Sequence, residues 1–92
     1  MPYIVCDPVF ETEEIAKPTK YVITIDGAAS FEVDPQDMGN GSVRLHYDVS
    51  GLTMGKHNIA VASKNLEGAS SPVPFMYLKA IPMAPTNIRL EA

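Results

Sequence analysis

Two histidines and one cysteine are the side chains of this chain best suited to metal or nucleophilic chemistry, and with a nearby aspartate they could offer zinc four ligands. His46 lies on the opposite face from its apolar neighbours, whereas His57 shares the apolar face of a later strand. A common metal is therefore disfavoured. We predict a structural role for His57, solvent exposure for His46 and a small apolar role for Cys6. The candidate ligands are Cys6, His46, Asp48 and His57.

A polar loop carries oxygen ligands of the kind that calcium prefers. Asp34, Asp37 and Asn40 lie close together, but they lack the alternate spacing and the final glutamate of an EF-hand loop. We interpret this segment as a polar turn, with no metal site.

The sequence contains no clear catalytic motif. Ser63, Ser70 and Ser71 lack a Gly-x-Ser-x-Gly elbow, and the glycines are scattered over turns instead of forming a phosphate cradle. The pair Glu13-Glu14 falls in a predicted loop, where carboxylates are solvated. The sequence predicts a protein that is not an enzyme and that needs no cofactor.

The elements that would position these residues are predicted to be strands. A chain of 92 residues and 10.0 kDa supports one core, and it is rich in Val and Ile while containing 6 Gly and 8 Pro. Alternating apolar residues indicate seven strands, and no segment indicates a helix. Asp26-Gly27 predicts a tight hairpin turn, and Pro74 predicts an edge position or a bulge. The predicted strands are residues 3–6, 21–25, 30–33, 43–49, 57–63, 72–79 and 87–90.

Charge limits the partners. A net charge of −4 disfavours binding to nucleic acid or to anionic membranes. The beginning, Met1-Pro2-Tyr3, lacks the features of a signal peptide, and no run is long enough for a membrane helix, so we expect a soluble chain. Residues 1–40 carry eight acidic and two basic side chains, whereas residues 41–92 carry three acidic and five basic ones. This polarity favours contacts between copies or modules.

Residues 45–65, LHYDVSGLTMGKHNIAVASKN, resemble a strand, a GL-x-x-G corner and a second strand of fibronectin type III and bacterial immunoglobulin-like domains. The resemblance implies a small antiparallel β-sandwich of about seven strands over residues 1–81. It also implies a bacterial or phage-derived structural module. His57 stands where the family has the corner tyrosine, and one of its ring nitrogens could bond back to the corner in the same way.

The two ends of the chain depart from the family pattern. Residues before Tyr21 supply one clear strand where the family has two, so the sandwich is one strand short. Residues 82–92, which contain PMAPTNIRL, resemble the segment that opens a fibronectin type III domain. They are a linker to a neighbouring module, a last edge strand of this domain, or a strand that pairs with another copy.

The leading functional prediction is a structural or protein-interaction module that acts through a sheet edge or through end loops. Asn65, Leu66 and Glu67 are the predicted binding residues, because they place an apolar side chain at the tip of the last hairpin. The alternative is a carbohydrate-binding module that uses exposed tyrosines. The absence of Trp weakens that alternative. A protein partner, a neighbouring domain or a homodimer through a strand edge is expected.

Overall fold

The alternating apolar residues form strands, as predicted. A computed structural model describes residues 2–91, and none of these residues is helical. Within this range there is consequently no helix long and apolar enough to cross a membrane. The strands are β1 (Tyr3–Val5), β2 (Val9–Phe10), β3 (Lys20–Ile25), β4 (Phe31–Val33), β5 (Gln36–Asp37), β6 (Ser42–Arg44), β7 (His46–Asp48), β8 (Gly55–Asn65), β9 (Gly68–Ala69) and β10 (Val73–Lys79).

The strands form three antiparallel sheets. The largest has the order β10-β8-β3-β4, with β9 added to β8, and it contains the eleven-residue strand β8 in its interior. A second sheet pairs β1 with β7, and a third has the order β2-β6-β5. The all-β prediction is confirmed, and β10, which contains Pro74, lies at a sheet edge as predicted.

The number of strands differs from the prediction of about seven. The structure has ten in the described range, because three additional strands of two residues form, one predicted strand is divided into two, and the strand predicted at 87–90 is absent. The division falls at Leu45, whose N–H donates to the Cys6 thiol sulfur at 3.1 Å. Three residues, 6–8, join β1 to β2, whereas two residues, 44–45, lie opposite them. The segment between β1 and β2 therefore carries one extra residue and bulges.

The predicted hairpin between β3 and β4 is confirmed. Asp26 and Gly27 have φ angles of 52° and 72°, the left-handed values that a tight hairpin turn requires. The N–H of Ala28 closes the turn by donating to the Ile25 carbonyl at 3.0 Å. One additional residue follows on the return side, so Tyr21, four residues before Ile25, pairs with Val33, five residues after Ala28.

The core lies between the largest sheet and the segment that contains β6 and β7. Its buried apolar residues come from β3, from β8 and from the two ends of β7, and partly buried residues of β1 and β10 pack against them. The fully buried apolar side chains are Tyr21, Ile23, Leu45, Val49 and Ile59.

The C-terminal segment, which we define as residues 80–91, extends away from this core. It forms no strand with any other described residue, so the strand predicted at 87–90 is absent from this structure. Pro82 and Pro85 lack the N–H groups of a ladder, and every residue of the segment is exposed. The radius of gyration, 18.3 Å, therefore exceeds the value of about 12 Å expected for a compact chain of this length.

Candidate functional site

The side chains singled out for metal chemistry lie apart from one another. In residues 2–91 there is no group of three or more His, Cys, Asp or Glu side chains placed to hold a metal. His46 is less exposed than predicted: it is partly buried, because its ring stacks on Tyr3 of the paired strand, with centroids 4.1 Å apart. The two residues are diagonal neighbours across the β1–β7 ladder, which brings the rings together.

His57 has the structural role that the sequence predicts. Its Nε2 lies 2.7 Å from the Thr53 carbonyl and its Nδ1 lies 2.7 Å from the Asp26 carboxylate. The Thr53 carbonyl and the ionised Asp26 carboxylate both accept, so the protonated ring, which donates from both nitrogens, is the form that satisfies both partners. The bond to the Thr53 carbonyl, followed by the bond to Asp26, raises the pKa of His57 above its ordinary value.

The Asp26 carboxylate completes this corner. Its Oδ1 accepts the N–H of Asn58 at 2.8 Å, while Oδ2 faces His57. The bond from the Asn58 backbone, followed by the bond from His57, lowers the pKa of Asp26. The hairpin turn and β8 are thus held together by one charged pair at the end of the sheet.

The polar loop that could suit calcium is built as a turn. Asp37 Oδ1 accepts the N–H of Gly39 at 2.8 Å, and Asn40 Oδ1 accepts the N–H of Ser42 at 3.1 Å. Asp34 forms an ion pair with Lys20. These oxygens therefore have roles within the fold.

The hairpin tip predicted to bind a partner contains residues of two kinds. The side chain of Asn65 accepts the N–H groups of Glu67 and Gly68 at 2.9 and 3.2 Å, so it shapes the turn. Leu66 is fully exposed at the tip, and Glu67 is also exposed. A shallow cavity of about 320 Å³ lies beside the tip, lined by residues that include Pro18 and Lys64. Binding by these residues stays a prediction.

A larger cavity, which we call the groove, lies between β1 and β10. Its volume is about 610 Å³, its lining is mainly apolar, and its floor is formed by the core residues Tyr21, Leu45 and Val49. Cys6 stands at one end, where its thiol also donates to the Tyr21 hydroxyl at 3.6 Å. Burial, followed by this bond, raises the pKa of Tyr21.

One wall of the groove is the open edge of β1. Residues 2–6 all line it in succession. Successive side chains of a strand point to opposite faces, so five consecutive residues can meet one cavity only along an unpaired backbone edge. The Val49 N–H donates to the Pro2 carbonyl at 3.1 Å, and the alternation of an antiparallel ladder then directs the N–H and C=O groups of Tyr3 and Val5 away from β7.

The opposite wall is β10. Val73, Phe75 and Tyr77 face the groove, as their shared face in the sequence predicts. Val73 remains 66% exposed and Phe75 remains 49% exposed. Side chains that point toward the core are thus left in water, because no strand of residues 2–91 covers the space between β10 and β1.

Comparison of the chain with protein-family models, with curated proteins and with solved structures finds no match. We therefore infer a function from the geometry of the described residues alone. Sequence reasoning missed the groove as a site, although two signals pointed to it. The resemblance implies one more strand before Tyr21 than the sequence pattern indicates, and Pro74 lies in an apolar strand. What the sequence lacked was the relative position of β1 and β10, which depends on long-range packing.

Proposed function

We propose that the chain is a non-catalytic protein-interaction module with a fibronectin type III-like or immunoglobulin-like sandwich arrangement. Support for this fold comes from the sheet order β10-β8-β3-β4, which parallels the G-F-C-C′ order of such domains, and from the pairing of β1 with β7, which parallels B with E. In this scheme the first strand of the family, which would pair with β1, has no counterpart among the strands of the described residues.

The function that we propose is to take up an extended polypeptide segment along the groove. The open edge of β1 is the observation that carries this proposal. A guest strand would gain main-chain hydrogen bonds from Tyr3 and Val5, and its alternate side chains would fill the apolar space above Tyr21. A guest with few charges and with apolar residues at every second position matches the lining best.

The carbohydrate alternative has less support. Stacking on a sugar needs an open aromatic face. Of the four tyrosines, all of which are described, Tyr3 alone is exposed, and the His46 ring covers one of its faces. Tyr21 is 3% exposed and belongs to the core.

Peptide display tests the proposed function. A library of random peptides is selected on the full chain that carries Ile88→Ser and Leu90→Ser, so that its own C-terminal segment offers no apolar competitor. Bound peptides are then measured against Phe75→Asp and against Met76→Asp in that background. The second variant is a matched control, because it places the same charge on the same strand but on the outer face, where Met76 is 61% exposed.

We expect alternating apolar peptides that bind Met76→Asp normally and lose about 10-fold or more in affinity for Phe75→Asp, since a charge is then desolvated in an apolar groove. Equal binding to both variants would contradict the proposal. So would loss of binding in Leu66→Ala, which would place the site at the hairpin tip. Recovery of glycans but of no peptide would favour the carbohydrate alternative.

A further inference from the structure

The C-terminal segment matches the groove in chemistry and in length. Ile88 is 82% exposed and Leu90 is 99% exposed, and in an extended strand these two side chains lie on the same face. Residues 2–6 form a wall of roughly 17 Å, which a run of five or six extended residues covers. Residues 86–91 supply that run, and residues 80–85 remain as a connector of roughly 20 Å.

The connector favours a partner outside the chain. Pro82 and Pro85 fix their φ angles near the extended range and cannot donate to a ladder, so the connector stays extended and unpaired. A return into the chain's own groove needs a sharp reversal immediately after β10. The structure instead directs the segment away from the core, with Met83 86% exposed.

Strand direction points the same way. The Lys79 ammonium donates to the carbonyls of Ser50 and Leu52 at 2.6 and 2.7 Å, and Tyr3 pairs with Asp48. The end of β10 and the beginning of β1 therefore lie at the same end of the molecule. A segment folding back from Lys79 would run parallel to β1. A segment from a second copy can approach from the Cys6 end and pair antiparallel, which is the slightly more stable ladder.

We infer that residues 86–91 of one copy occupy the groove between β1 and β10 of a second copy, which builds a head-to-tail assembly. This inference rests on the proposed function, because it names the occupant of the same groove. Each copy inserts its residues 86–91 into the groove of the next copy and receives the segment of another copy in its own groove. The contact is therefore heterologous and can repeat.

Pairing with β1 requires one change of backbone conformation in the guest segment, at Asn87. Asn87 has a φ of 51° in the free segment, which interrupts the extended run before Ile88. Asn visits this left-handed region with little penalty, so its return to an extended conformation is readily achieved on binding. The apolar side chains of the segment then leave water together.

The test is association of the full chain measured by sedimentation. We expect the mass to rise with concentration above 10.0 kDa for the wild type. Ile88→Ser/Leu90→Ser, which removes the apolar face of the guest without changing charge, should weaken association about 100-fold or more, because two buried side chains are lost. Ile81→Ser/Met83→Ser is the matched control, because it also removes two exposed apolar side chains without changing charge but lies in the unpaired connector, and it should associate like the wild type.

Mixing two defective variants decides the geometry. Phe75→Asp has a damaged groove and an intact segment, whereas Ile88→Ser/Leu90→Ser has an intact groove and a damaged segment. Each variant alone should remain monomeric. Their mixture should form a one-to-one pair of twice 10.0 kDa, since one functional groove meets one functional segment. A surface that merely aggregates through exposed apolar patches would not be rescued by mixing.

The outcomes separate this inference from the proposed function. A wild type that stays monomeric at every concentration, or a mixture that does not pair, overturns the inference. If selected peptides still enter the groove in that case, the proposed function stands and the natural guest is another protein. If peptides also fail to bind, both proposals fall.

Discussion

Ile59 and Phe75 are direct partners across the β8–β10 ladder, so their side chains lie on the same face of the sheet. Ile59 is 2% exposed, whereas Phe75 is 49% exposed. The sequence around both residues alternates in the same way. The difference arises because the segment that contains β6 and β7 covers Ile59, while nothing in the described chain lies over Phe75.

Orientation toward the core and burial are thus two separate properties of a side chain, although an alternating pattern suggests both at once. Alternation determines which side chains point toward the core, but burial needs a second layer to cover them. On the β3–β8 side that layer is present. On the β1–β10 side no described strand supplies that layer, and the groove is the result.

The largest expected effect comes from truncating each member of that pair. Ile59→Ala should destabilise the fold by about 3 kcal/mol and lower the melting temperature by about 15 °C, because it leaves a cavity in the core. Phe75→Ala should cost at most about 1 kcal/mol, because half of that side chain already meets water. Chemical denaturation followed by circular dichroism measures both. Equal losses of stability in the two variants, measured in protein too dilute to associate, would show that the chain itself already fills the groove.

The next effect concerns the charged corner and pH. His57 has a raised pKa, so its stabilisation is fully present below about pH 6.5 and is lost as the pH rises through the higher folded-state value. The charge of Lys79 opposes this shift, and the carboxylate of Asp26 supports it. Asp26 has a lowered pKa, so its contribution persists above about pH 4 and is lost as the pH falls further.

We therefore expect the melting temperature to decline from about pH 5 to about pH 9, on either side of the ordinary imidazole pKa. His57→Gln should remove most of this slope. His46→Gln is the control, because that ring stacks on Tyr3 and has no carboxylate partner among the described hydrogen bonds. A slope that survives in His57→Gln would assign the titration to another group.

Local features of the fold were accessible from the sequence. Asp26-Gly27 predicted a turn because few residue pairs accept two positive φ angles. His57 was expected to bond back to the corner, because the resemblance aligns it with a tyrosine of fibronectin type III domains, and its ring does contact the Thr53 carbonyl. The bulge opposite Leu45 was not accessible. It depends on a thiol that accepts an N–H from a residue far along the chain.

The two candidate sites differ in the same respect: the hairpin tip was accessible from the sequence, and the groove was not. Leu66 was correctly placed at an exposed tip, because Asn, Glu and Gly around it are turn residues. The groove was missed, because its walls come from opposite ends of the chain and its existence depends on what fails to cover them. The sequence pattern near the N-terminus indicates a groove only when it is compared with a complete sandwich, which has one more strand there.

The smallest expected effects lie at the hairpin tip, where two neighbouring residues should behave differently. Asn65→Ala should cost about 1 kcal/mol, because two backbone N–H groups lose their acceptor in the turn. Leu66→Ala should change stability by less than about 0.5 kcal/mol, since its side chain contacts only water. Thermal melts of the two variants measure the difference. A marked loss in Leu66→Ala that depends on concentration would mean that the tip, and not the groove, holds the second copy.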